Sequence, residues 1–147
     1  MAVQLPDDFK EFLRLLNDRN VDYLLIGGYA VGYHGYPRAT NELDVWIGAS
    51  TDNVGKVIDA LKAFGLDTPD LNADLFADGR IVRIGVPPIR IEVMSEISGV
   101  DFPSCFEARL RDTIDGVSIQ IIDLENLKQN KRASGRFKDL DDLENLD

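Results

Sequence analysis

Tyr23-Leu24-Leu25-Ile26-Gly27-Gly28-Tyr29-Ala30-Val31 is an apolar run that meets two adjacent glycines and then continues with a short helical stretch. It reads as a strand, a tight turn and a helix start, where backbone N–H groups lie open to the close approach of a phosphate. The next such run, Leu43-Asp44-Val45-Trp46-Ile47, follows Glu42 and reads as a second strand. Alternate residues of a strand share a face, so Glu42 and Asp44 project together. A third acid, Glu92, lies in the strand-like run Ile89-Arg90-Ile91-Glu92-Val93-Met94. Carboxylates held side by side repel one another and lose hydration, an arrangement favoured when a hard divalent cation sits between them. Glu42, Asp44 and Glu92 are therefore a candidate metal site, with a candidate phosphate cradle at Gly27 and Gly28 beside it.

Outward from this centre the pattern is a strand-helix alternation. Phe9, Phe12, Leu13 and Leu16 recur at helical spacing between Pro6 and Asn20, predicting an opening amphipathic helix. Ser50 or Thr51 can cap a helix whose inner face is Val54, Val57, Ile58, Leu61 and Phe64 and whose end is marked by Gly65. Residues 67–78 are polar and read as a loop with one helical turn. Strands are expected over 80–86 and 89–94, joined by a turn at Pro87-Pro88, and over 117–122. From about residue 123 a helical tail follows, broken at Ser134-Gly135, with Leu124 and Leu127 before the break and Leu140, Leu143 and Leu146 as its apolar positions after it. The expected class is α/β (α+β): a small mixed sheet with flanking helices.

Composition narrows the partners. A chain of 147 residues with 44% hydrophobic content is read as one domain spanning 1–147, with no repeat or interdomain linker. A net charge of -10 opposes non-specific attraction to duplex DNA or anionic membranes. The single Cys105 has no internal disulfide partner, and the single His34 leaves no thiolate or histidine cluster for zinc. Residues 1–10 carry no basic region followed by an apolar core, and no long apolar span occurs, so a cytoplasmic location is expected.

Gly27-Gly28, then Glu42-Leu43-Asp44-Val45, then Ile91-Glu92-Val93 resembles the signature of the DNA polymerase beta-like nucleotidyltransferase superfamily. More locally, Leu25-Ile-Gly-Gly-Tyr-Ala-Val-Gly-Tyr-His-Gly-Tyr-Pro-Arg-Ala-Thr40 and Asn130-Lys-Arg-Ala-Ser-Gly-Arg-Phe-Lys-Asp139 look like small bacterial nucleotidyltransferases related to abortive-infection and minimal nucleotidyltransferase toxin-antitoxin components. The resemblance implies that Glu42, Asp44 and Glu92 bind metal, in the form of two Mg2+ or Mn2+ ions, and that Gly27 and Gly28 line the phosphates of a nucleoside triphosphate. It implies transfer of a nucleoside monophosphate to a hydroxyl on protein, RNA or a small molecule, with Glu92 as the proton acceptor, and a toxin or antitoxin partner. The other reading keeps the fold as a nucleotide-sensing or antitoxin-like module of little or no catalytic activity.

Further residues carry paired readings. Arg38 can offer a bidentate fork to a triphosphate or form a surface ion pair. Lys128, Lys131, Arg132, Arg136 and Lys138 form the only dense basic group; with the family pattern Lys131 and Arg136 become phosphate contacts, and without it the group pairs with Asp139, Asp141 and Asp142 on a solvated helix face. Trp46, on the Asp44 face, is read as core, and His34 as a packed or hydrogen-bonded helix residue with nucleotide contact as its second role. Tyr29 and Tyr33, one helical turn apart, either line a nucleotide pocket or bury one side of the short helix.

Overall fold

Pro6 opens helix α1 (Asp7–Asp18), Asp7 and Asp8 occupy its first turn where the helix dipole favours negative charge, and Phe9, Phe12, Leu13 and Leu16 are all buried. The computed structural model describes residues 4–36, 40–86 and 89–146. After α1 come β1 (Tyr23–Ile26), α2 (Gly27–Tyr33), β2 (Glu42–Ile47) and α3 (Thr51–Phe64). A 3-10 turn (Ala77–Gly79) precedes β3 (Ile81–Ile84) and β4 (Arg90–Met94). Then follow α4 (Phe102–Glu107), β5 (Leu110–Ile114), β6 (Val117–Ile121), α5 (Leu124–Ser134) and α6 (Phe137–Asn145).

The strands form one six-stranded mixed sheet in the order β3-β4-β2-β1-β6-β5. The antiparallel pair β1–β2 lies at its centre, β4 and β6 flank it in parallel, and β3 and β5 close the edges antiparallel. The central strands are apolar because they are covered on both sides: all four residues of β1 are buried. On one face α1 packs on α3, with Phe12 and Phe64 edge-to-face at 5.4 Å. On the other, Trp46 of β2 meets Phe102 of α4 at 5.1 Å. Trp46 is fully buried, and its indole N–H donates to the Ser95 carbonyl at 3.2 Å, so it serves the core as expected.

Helix α3 begins and ends as its sequence predicts. Ser50 Oγ accepts from the Asn53 N–H at 3.2 Å, and Gly65 takes the left-handed conformation at the end. Asn53 itself is buried and works harder than its position suggests. Its side chain accepts from the Asp22 N–H at 2.8 Å and donates to the Asp22 and Gly48 carbonyls at 3.0 and 2.8 Å, tying the start of β1 to the end of β2.

Three expectations differ from the structure. Helix α4 and strand β5 are additional elements: Asp101 caps α4 through the Ser104 N–H at 3.0 Å, and β5 pairs with β6 across Asp115-Gly116, both at positive φ. In α6 Asp139 and Asp142 are buried beside the apolar positions: Leu146 at the helix end is buried and Leu143 half-buried, while Leu140 is exposed. The physical reason is Lys131, buried on α5, which draws both carboxylates inward. The strands over 80–86 and 89–94 are shorter at their facing ends, and the turn at Pro87-Pro88 lies outside the described residues.

Candidate functional site

The sheet register assembles the acids. Asp44 of β2 lies directly opposite Glu92 of β4, and Glu42, two residues before Asp44, shares its face. One carboxylate oxygen from each of Glu42, Asp44 and Glu92 can be chosen so that all lie within 4.8 Å of one another. Three hard oxygen donors at this separation suit Mg2+ or Mn2+. The protonation of Asp44 agrees with that fit. Burial first, then the charges of Glu92 and Glu42, push its carboxyl up from 3.8 to about 6, with Lys138 and Lys131 acting in the opposite direction. Added positive charge among these oxygens favours the ionised form.

The paired glycines have separate steric reasons. Gly27 has φ +67, in the left-handed region, and β1 pairing sets its neighbour Ile26 opposite Asp44. A side chain at Gly27 would run into the Asp44 carboxylate, with Cγ only 2.9 Å from the added carbon. A side chain at Gly28 would collide with Thr40, whose Oγ1 accepts from the Glu42 N–H at 3.3 Å. The turn is thus pressed against the acidic strand, and only glycine allows its backbone to come so close.

Gly27 and the three acids line one cavity of about 440 Å³, within the range of small-molecule sites. Its walls also carry Arg83, Arg90, Lys131, Arg136 and Lys138. In a chain of net charge -10, this concentration of cations is local to the acids. Lys131 is almost fully buried, with Nζ 3.2 Å from Asp139 Oδ1 and 3.0 Å from Asp142 Oδ2. Arg136 Nε donates to Asp139 Oδ2 at 2.8 Å, which draws the Arg136 guanidinium further toward its charged form; burial pushes Asp139 up, but Arg136 and Lys131 together outweigh it and hold its carboxyl below the usual range. Pairing with Asp139 and Asp142 does occur, but buried at the cavity wall and not on the solvated helix face that was one of the two readings of this basic group.

Arg83 and Arg90 are site residues that the sequence reading does not include. Arg90 Nη2 lies 2.6 Å from Glu42 Oε1 and 3.2 Å from Glu92 Oε1, and Arg83 Nε lies 3.3 Å from Glu92 Oε1. The available signal was strand alternation, which puts Arg90 on the Glu92 face. Arg38 lies outside the described residues. His34 Nε2 donates to the Ile122 carbonyl at 2.8 Å, as a hydrogen-bonded helix residue. Tyr29 packs edge-to-face on Phe9, and Tyr33 donates to Asp112 Oδ2 at 2.7 Å; neither lines the acid cavity.

The six-stranded mixed sheet, with its Gly-Gly turn against an acidic strand, matches the fold of solved structures described as nucleotidyltransferases. By sequence, no family model and no curated protein matches the chain. Among solved structures, a Thermotoga maritima protein described as a candidate nucleotidyltransferase, TM1012, superposes with a TM-score of 0.62 at 13% identity, over 92% of this chain and 88% of that one. The lincosamide antibiotic adenylyltransferase LnuA, in a lincomycin-bound crystal structure, gives 0.59 at 16% identity, over 97% and 96% of the two chains. The antibiotic-resistance factor ANT(2'')-Ia gives 0.60 at 10% identity, over 93% and 79%. No helix among the described residues is long and apolar enough to cross a membrane.

Proposed function

We propose that this chain is a metal-dependent nucleotidyltransferase that moves a nucleoside monophosphate from a nucleoside triphosphate to a hydroxyl group. The observation that carries the reading is the convergence of Glu42, Asp44 and Glu92 within 4.8 Å, from two parallel strands, next to the close backbone approach at Gly27. Bound divalent ions, Mg2+ or Mn2+, would be held by these three carboxylates and would supply charge neutralisation at the attacking and leaving oxygens. Gly27 and Gly28 give the triphosphate access to the strand end, and Lys131 and Arg136 add positive charge along the cavity wall. Glu92 accepts the proton of the acceptor hydroxyl. The acceptor oxygen then bonds to the α-phosphorus, the bond from that phosphorus to the β-phosphate bridging oxygen breaks, and pyrophosphate leaves.

A small hydroxylated acceptor is the version best supported. LnuA is a structure with lincomycin bound, ANT(2'')-Ia has been seen with adenylyl-2''-tobramycin, and LnuA matches this chain over nearly its whole length. Incubation with each α-labelled nucleoside triphosphate and Mg2+ or Mn2+, against a panel of small polyols, aminoglycosides, lincosamides, RNA and protein, tests the proposal. Label transfer that is lost in Asp44→Asn supports it. Absence of transfer to any acceptor, together with no stabilisation by metal and nucleotide, contradicts it.

A further inference from the structure

Strand β4 places Arg90 and Glu92 on one face, and the sheet register sets Arg90 beside Glu42 and Arg83 beside Glu92. The acids are therefore interleaved with two guanidinium groups, Arg90 on the Glu92 strand β4 and Arg83 on the neighbouring edge strand β3. The two differ in grip. Arg90 bridges Glu42 and Glu92 at 2.6 and 3.2 Å with its side chain 28% exposed, whereas Arg83, 55% exposed, touches Glu92 alone. Arg90 Nε is buried and has no hydrogen-bond partner among the described residues, so the guanidinium is only partly satisfied where it stands.

Ligation of a divalent ion by Glu42 and Glu92 draws on the oxygens that Arg90 holds. A guanidinium cannot shed its proton to make room, so it has to turn away from the incoming charge. Arg90 lines the cavity beside Gly27, and the space open to it is the space that the triphosphate is assigned. Phosphate oxygens match its planar fork and can satisfy Nε as well as the terminal nitrogens.

We propose that Arg90 exchanges partners: it bridges Glu42 and Glu92 until metal arrives with triphosphate, then gives the carboxylates to the metal and its guanidinium to the phosphates. The inference rests on the transfer reading above and adds a coupling to it. Metal alone must break the bridge with nothing to receive Arg90, whereas metal with triphosphate supplies a partner for both halves of the ion pair. The two ligands consequently bind cooperatively, each strengthening the other by the same factor. Arg90 is in this account a positioning residue, and Arg83 a weaker contributor.

The test is calorimetric and spin-resonance titration of the full chain with Mn2+ alone and with Mn2+ plus inorganic triphosphate, for the wild type, Arg90→Ala and Arg90→Lys. Arg90→Ala is expected to bind Mn2+ alone at least about fivefold more tightly and the Mn2+ triphosphate complex at least about fivefold more weakly, the lower end of ordinary coupling factors. Arg90→Lys, which keeps charge without the fork, falls between. A merely structural ion pair would weaken both affinities together, and that result, or an unchanged triphosphate affinity, overturns the exchange. Thermal unfolding checks the fold of each variant, and if Arg90→Ala does not fold, Arg90→Lys is read by the same opposite-direction criterion. Wild-type protein that takes up neither Mn2+ nor its triphosphate complex overturns the transfer reading as well. Wild-type binding with unaltered variants overturns the exchange alone.

Discussion

Asp44→Asn is expected to stabilise the metal-free protein at alkaline pH while removing its response to metal. In the folded chain burial and the neighbouring Glu92 and Glu42 raise the Asp44 carboxyl from 3.8 to about 6. Between those two values the unfolded chain has lost the proton and the folded chain keeps it, so stability falls as pH rises through this window. The contribution is fully present below 3.8 and absent above about 6. At 1.36 kcal/mol per pH unit the rise corresponds to a loss of about 3 kcal/mol at pH 8, a ceiling because water in the cavity screens part of it. Asparagine has nearly the same shape and no charge, so the variant should match the wild type near pH 4 and exceed it by up to about 3 kcal/mol at pH 8. Urea denaturation at the two pH values, with EDTA present, measures the difference. Adding Mn2+ at pH 8 should then raise the wild-type midpoint and leave the variant unmoved. A variant that is no more stable than wild type at pH 8 refutes the electrostatic account of Asp44.

Other substitutions probe the supports of the site. Gly27→Ala meets both a left-handed backbone, worth about 1–2 kcal/mol, and the Asp44 carboxylate, so its midpoint and its Mn2+ affinity should fall together. Lys131→Met leaves Asp139 and Asp142 buried without their shared cation and should cost about 3–5 kcal/mol in urea; adding Asp139→Asn and Asp142→Asn to it should recover a large part. Asn53→Ala strands the Asp22 N–H and the Gly48 carbonyl, and a loss of about 1–3 kcal/mol by thermal unfolding is expected with Mn2+ binding preserved.

The parts of the molecule that sequence made readable are those where one physical preference acts alone. Strand β1 and the acidic strand β2 follow from apolar runs whose ends are set by glycine, and α3 follows from an N-cap serine and a left-handed glycine. Where signals were weak or conflicted, the reading fell short. Strand β5 is an exposed edge with almost no buried residue, so no apolar alternation marks it; Asp115-Gly116, a hairpin turn pair with positive φ at both positions, was the usable sign. Helix α6 carries leucines at helical spacing, of which Leu146 is buried and Leu140 exposed, and it also buries Asp139 and Asp142, because an internal Lys131 without counter-charges costs more than one exposed leucine. At the site, the acids were visible through their alternation and flanking apolar residues. Arg90 and Arg83 were not, because their significance depends on which strands are neighbours and in what register, and that is a property of the folded sheet.

The central claim is that Glu42, Asp44 and Glu92 hold divalent metal beside the Gly27 turn. Crystals grown with Mn2+ and a non-hydrolysable nucleoside triphosphate, with anomalous diffraction collected at the manganese edge, test it directly. The account predicts anomalous density within ligating distance of all three carboxylates, with the phosphates alongside Gly27 and Gly28. Manganese located elsewhere, with Arg90 still bridging Glu42 and Glu92, would contradict it.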